Sequence, residues 1–204
     1  MDIAKTLSLS FVMIAGPQIL SSIFLATTKK WSQNSLAFIA GAATSVTLIT
    51  TAAFLLSSGA SSNGTSSNTL SYIILVLLVA AAIHTFVSRK TSKPPKWMGK
   101  LEEAQPKGSY KLGFLLLGVF PSDILTSISV GAFMAAQGEP WVQILPFVFL
   151  VLLFLALPLI LIVLLGKRAE AFLPKARDWM NNNSWIVSEI VFAMFIALVY
   201  SGLN

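Results

Sequence analysis

Apolar residues fall in six long runs, near 4–26, 35–57, 70–88, 112–137, 142–165 and 185–203, and charged residues gather in the segments between them. A bilayer core about 30 Å thick takes about 20 mostly apolar residues per helix, so each run is long enough to cross it. Unpaired backbone is costly in hydrocarbon, and the runs lack the alternating pattern of a membrane barrel. The pattern predicts an all-α integral membrane protein, a six-transmembrane-helix bundle with connections too short for a soluble domain.

Composition agrees with that reading. The 204 residues are 55% hydrophobic and 11% charged, with a mean hydropathy of +0.79, values that belong to membrane proteins. Lysine and arginine then orient the bundle, because cytoplasmic loops hold an excess of them. With the amino terminus outside, Lys29 and Lys30, seven residues from Arg89 to Lys111, and Lys167, Arg168, Lys175 and Arg177 all face the cytoplasm. Only Lys5 of the fourteen basic residues is left outside. The expected location is the cell membrane, multi-pass, with both termini outside.

The net charge of +6 is therefore a mark of topology, and nucleic acid is not an expected partner. Membrane lipids are. In KPPKWMGKLEE, Trp97, Met98 and Leu101 share one helical face while Lys96 and Lys100 share another, as at an interface with anionic lipid heads. The first run is long and has no small-x-small cleavage site, so it is expected to be retained rather than removed as a signal peptide.

The chain has no cysteine and one histidine, which excludes thiol redox chemistry and leaves few catalytic sets. No Gly-x-Ser-x-Gly, His-Glu-x-x-His or phosphate-binding Gly-x-x-x-x-Gly-Lys-[Ser/Thr] segment occurs, so neither an enzyme nor ATP hydrolysis is expected, and no metal or cofactor is implied.

One short pattern occurs twice. QILSSI at 18–23 and DILTSI at 123–128 are identical at four of six positions, lie in the first and fourth runs, and follow Pro17 and Pro121. Three helices per half is an odd number, so two such halves enter the membrane from opposite sides. This is the inverted-repeat arrangement of many secondary transporters. The division is repeat 1 over 1–88, a basic cytoplasmic loop over 89–111, and repeat 2 over 112–204, all within one transmembrane domain.

The residues of these clusters are the candidate binding site. A proline inside a helix frees the carbonyl four residues earlier, and broken helices are tolerated in a membrane where they line a cavity or pack on protein. Positions i, i+3 and i+4 share a face, so Gln18, Ser21 and Ser22 line one helix and Asp123, Thr126 and Ser127 the other. Asp123 lies about eleven residues into the fourth run, roughly 16 Å along a helix, where an acid is costly and usually functional. It can bind a cation or an amine, or carry a proton coupled to transport. Alternatively it caps the half-helix after Pro121 by accepting backbone N–H bonds.

His84 and Glu189 are secondary candidates, read first as packing and as an interfacial residue. The second run, rich in Gly, Ala, Ser and Thr, is expected at the bundle centre. The bulky fifth run is expected to face lipid, with Pro146 and Pro158 as kinks or hinges.

Ala15-Gly16-Pro17, the following basic turn, AFIAGAA, the basic loop and Phe120-Pro121-Ser122-Asp123 together resemble the LysE superfamily of exporters. The chain's size and VFPSDILTSISVGAFMA resemble, within it, the GAP or Sap group of glycopeptidolipid- and sulfolipid-addressing proteins. Amino-acid exporters carry Pro-Gly-Pro where this chain has Ala-Gly-Pro. The resemblance implies a secondary exporter that moves a small, amphipathic or lipid-linked solute outward. Protonation of Asp123 is the simplest way for a proton gradient to drive it; a lipid exporter or flippase comes second and a non-transporting accessory protein third, and a homodimer is compatible with each.

Overall fold

The computed structural model describes residues 3–14, 16–58, 101, 103–183 and the single positions 186, 189, 193 and 196. Its helices are α1 (Ile3–Ile14), α2 (Pro17–Ala26), α3 (Trp31–Ser58), α4 (Pro106–Val119), α5 (Pro121–Ala136), α6 (Leu145–Leu165) and α7 (Lys167–Asn182), with a 3₁₀ turn at Trp141–Ile144 before α6. The third run, His84 and most of the basic loop and the sixth run lie outside the described residues. Among the described residues two helices, Trp31–Ser58 and Trp141–Leu165, are long and apolar enough to cross a membrane, and α4 with α5 makes a third if the bent pair is one span.

The first and fourth runs are not single helices, as the apolar pattern alone suggested. Each is cut in two at its proline, which starts a second helix rather than kinking a continuous one. At the first turn of a helix no N–H is required, so proline fits there without loss. The two cuts use different backbone. Gly16 adopts φ 129° and ψ −139°, a region open only to glycine, whereas Phe120 is extended at φ −64° and ψ 126°, the conformation favoured before proline. The second break bends α5 by 67° from α4.

α3 is the spine of the fold. Its buried positions, Asn34, Ser35, Phe38, Gly41, Ala42, Ser45, Val46, Thr50 and Ala53, recur every three or four residues and form one stripe along its length. α4 and α5 both pack on α3, and glycines set the approach. A Cβ on Gly41 would strike the Tyr110 carbonyl, one on Gly113 the Phe38 carbonyl, and one on Gly131 the Thr50 carbonyl. The central place expected for this small-residue helix is what the structure gives it.

α6 departs from its expected lipid-facing role on one side. Phe147, Val148, Val151, Leu155, Pro158 and Ile162 are buried, and the first four join Met13, Leu25, Phe38 and Val46 in the main core. Phe149, Leu157, Val163 and Leu164 are exposed, so only the other side is free for lipid. A helix apolar on every face gives no periodic signal by which to tell the two sides apart. Pro146 lies in the first turn of α6 and makes no kink there, and Pro158 is inside the helix.

Two further segments differ from the expectation of simple connections. α4 starts at Pro106, so Lys107 and Lys111 belong to its first turns rather than to a loop. α7 fills the last connection and packs on α2 and α6. Between α5 and the 3₁₀ turn, Gly138 at φ 67° closes a Schellman motif, in which its N–H bonds to the Ala135 carbonyl and that of Glu139 to the Met134 carbonyl.

The glycine contacts give a test with opposite signs. Gly113→Ala should lower stability by about 1–3 kcal/mol, because backbone must shift to admit the methyl. Gly108, in the same helix, has open space around a Cβ, so Gly108→Ala should raise stability by about 0.5–1 kcal/mol. Reversible unfolding in detergent micelles measures both.

Candidate functional site

Both breaks open onto the same place. Gln18, in the first turn of α2, donates from Nε2 to Asp123 Oδ2 in the first turn of α5 at 2.6 Å, in a buried bond between residues 105 apart. Gln18 is 2% and Asp123 1% exposed. The first turns of two helices therefore meet at one buried side-chain hydrogen bond.

Asp123 does not cap α5 in the way its position suggested. Its two hydrogen bonds come from Gln18 and from Ser122 Oγ at 3.2 Å, neither of them a backbone N–H. Side chains take both oxygens instead, the Gln18 amide at Oδ2 and the Ser122 hydroxyl at Oδ1.

The hydroxyls beside the pair divide into two kinds. Ser21 donates to the carbonyl of Pro17 at 2.6 Å, and Thr126 donates to that of Ser122 at 2.8 Å. These bonds steady the first turns of α2 and α5. Ser22 instead reaches another helix and donates to the Leu155 carbonyl of α6, one residue past the carbonyl of Phe154 that Pro158 leaves without its helical donor. Ser22 thus ties the broken first run to α6.

Ser127 is buried and its Oγ has no partner among the described residues, as is also true of Gln18 Oε1, Ser45 Oγ and Thr50 Oγ1. One turn beyond Ser127, Gly131 packs on the Thr50 carbonyl, which puts Ser127 on the face of α5 that meets α3. The site therefore keeps unused hydrogen-bonding capacity beside the Gln18–Asp123 pair, in a region otherwise lined by core side chains.

Of the residues expected in the site, Gln18 and Asp123 touch, Pro17 and Pro121 begin the helices that carry them, and Ser21, Ser22, Thr126 and Ser127 flank them as described. Glu189 is half-buried at a helical position, with Oε1 unpartnered among the described residues. His84 lies outside the described residues. The sequence reading missed the polar side of α3, where Ser45 and Thr50 are buried. Their spacing along a Gly/Ala-rich helix was the signal, but it is shared by packing hydroxyls.

The Gln18–Asp123 bond predicts a specific mutational pattern. Gln18→Leu and Asp123→Leu should each destabilise by about 1–3 kcal/mol, since each leaves a buried polar partner alone. The double variant Gln18→Leu/Asp123→Leu should lose clearly less than the sum of the two, because no orphaned group remains. A double-mutant cycle of unfolding free energies in micelles checks it, and strict additivity would count against the bond.

Comparison with known proteins gives one family. The model described as Sap, sulfolipid-1-addressing protein, matches residues 6–204. No curated protein and no solved structure matches significantly.

Proposed function

Because the chain belongs to the family of Sap, sulfolipid-1-addressing protein, we propose that this membrane protein is a secondary transporter of the LysE-like type that moves an amphipathic, lipid-linked solute outward. The buried Gln18–Asp123 bond between two broken helices carries this reading. A helix interrupted inside the apolar region, with its N-terminal end aimed at a polar site, is the construction by which transporters hold polar groups at depth. An ionisable side chain held at depth in a membrane protein is costly and marks a functional site more often than a purely structural one.

The inverted-repeat reading is part of the proposal, and two correspondences at one offset support it. Gln18 and Asp123 are counterparts 105 residues apart and touch each other, as a pair on a two-fold axis between halves would. Ser21 bonds to the carbonyl of residue 17, and Thr126, 105 positions later, bonds to that of residue 122. In this scheme six spans cross the plasma membrane with both termini outside, and thirteen of the fourteen basic residues face the cytoplasm.

Alternating access then requires the pair to part. Separating α2 from α5 would break the Gln18–Asp123 bond and free the Gln18 amide and the Asp123 carboxyl for a polar head group, while the exposed apolar side of α6 accommodates acyl chains. Asp123, freed from Gln18, is the group that can take up or release a proton as the solute passes.

Proteoliposomes test this directly. With a pH gradient imposed, movement of a fluorescent anionic glycolipid between leaflets and release of trapped amino acids are followed for wild type and Asp123→Asn. An amide at this position cannot carry the proton, so Asp123→Asn should slow gradient-driven lipid movement roughly ten- to a hundredfold, with helix content and elution volume unchanged. Equal flux in the variant ends the coupling role of Asp123. Flux of amino acids but not of lipid would make the protein a small-solute exporter, and flux of neither an accessory protein.

A further inference from the structure

The helix α7 has two stripes of the same spacing, one residue apart. Ala169, Leu173, Ala176 and Met180 form the inner one, at i, i+4, i+7 and i+11. Ala169 and Leu173 are buried against Ile23 and Ala26 of α2 and Ile162 of α6, and Met180 packs on the same cluster. The residue before each of these forms the second stripe, Arg168, Phe172, Lys175 and Trp179, and all four are exposed. Phe172 is 59% and Trp179 51% exposed, so two large aromatic side chains alternate with two cations on an open face.

The position of this stripe follows from α6. That helix is apolar up to Leu165, with Val163, Leu164 and Leu165 all more than half exposed. Gly166, at φ 51°, then turns the chain directly into α7. A span that ends at Leu165 leaves α7 lying at the level of the lipid head groups. Aromatic rings of Trp and Phe settle at that level, and lysine and arginine beside them meet anionic heads.

The remaining charges of α7 do not cancel the stripe. Asp178 pairs with Arg177 at 2.9 Å, and Arg177 also stands 4.7 Å over the Phe24 ring, on the flank of the helix away from Phe172. Glu170 lies on that same far flank and lines a cavity of about 250 Å³ with Thr27, Trp31 and Pro174. Arg168 and Lys175 are left as the cations that accompany the two exposed aromatics.

We propose that Arg168, Phe172, Lys175 and Trp179 form a docking stripe for an anionic membrane lipid, with the cations on its phosphate or sulfate and the rings between its upper chain segments. The occupant is a lipid head group in the leaflet where α6 ends. The inference rests on the membrane-spanning reading of α6 and not on transport through Asp123, so a chain that docks lipid without moving it would fail the flux assay and still show docking.

Fluorescence quenching in vesicles tests it. The full chain is reconstituted in phosphatidylcholine with increasing brominated phosphatidylglycerol or, separately, brominated phosphatidylcholine, and the Trp179 signal is taken as the difference between wild type and Trp179→Phe. Each cation near an anionic surface is worth about fivefold in lipid binding. Brominated phosphatidylglycerol should therefore quench Trp179 at several-fold lower mole fraction than brominated phosphatidylcholine, and Arg168→Gln/Lys175→Gln should bring the two curves together. Equal quenching by both lipids in wild type overturns the proposal. So does quenching by neither, whether the stripe then proves to face water or, if Trp179 becomes shielded as protein density rises, a second copy of the chain.

Discussion

A helix that stops among apolar side chains leaves backbone donors and acceptors that hydrocarbon cannot satisfy, and everything else in this fold accommodates two such stops. They meet at one bond, Gln18 to Asp123. The first turns of α2 and α5 are joined there by side chains, so the two breaks share one buried polar contact. Remove that contact and both runs would be expected to straighten into continuous spans or to expose their ends.

The rest of the bundle holds the breaks in register. α3 runs the length of both α4 and α5, and glycine at 41, 113 and 131 lets backbone touch backbone along that seam. Close approach of this kind gives helices many weak contacts in a setting where water contributes no driving force. The 67° bend between α4 and α5 is thus held where both pack on α3. On the other side, α6 receives Ser22 at the Leu155 carbonyl and buries Phe147 and Val151 in the core shared with α1 and α2.

Rigid and movable parts can be separated on these grounds. The α3–α4–α5 seam is backbone packed on backbone, whereas the link between α2 and α5 is the side-chain bond from Gln18 to Asp123, and α2 packs on α6 through Ile23, Leu25 and Ala26 as well as Ser22. Hydrogen bonds between side chains break and re-form at smaller cost than interlocked backbones. A transporter that moves one part against another would be expected to divide along the polar seam. α7, docked on α2 and on the end of α6, would move with them and carry its exposed aromatic and basic stripe along the membrane surface.

Much of this was legible in the residues themselves. Apolar run length gave the helical character of the first, second, fourth and fifth runs, and the repeated QILSSI and DILTSI with their prolines pointed to the pair that the fold brings together. Those signals are local, because hydrophobicity, charge and the missing proline N–H act on a segment whatever surrounds it. Three features needed the tertiary structure. Whether Pro17 and Pro121 would kink a helix or end it depended on what could cover the exposed ends. Which side of the uniformly apolar α6 is core depended on where Met13, Phe38 and their neighbours came to lie. Whether Asp123 would cap its own helix or bond across to Gln18 depended on the fold bringing Gln18 within reach. In each case the sequence left two local solutions, and long-range packing chose between them.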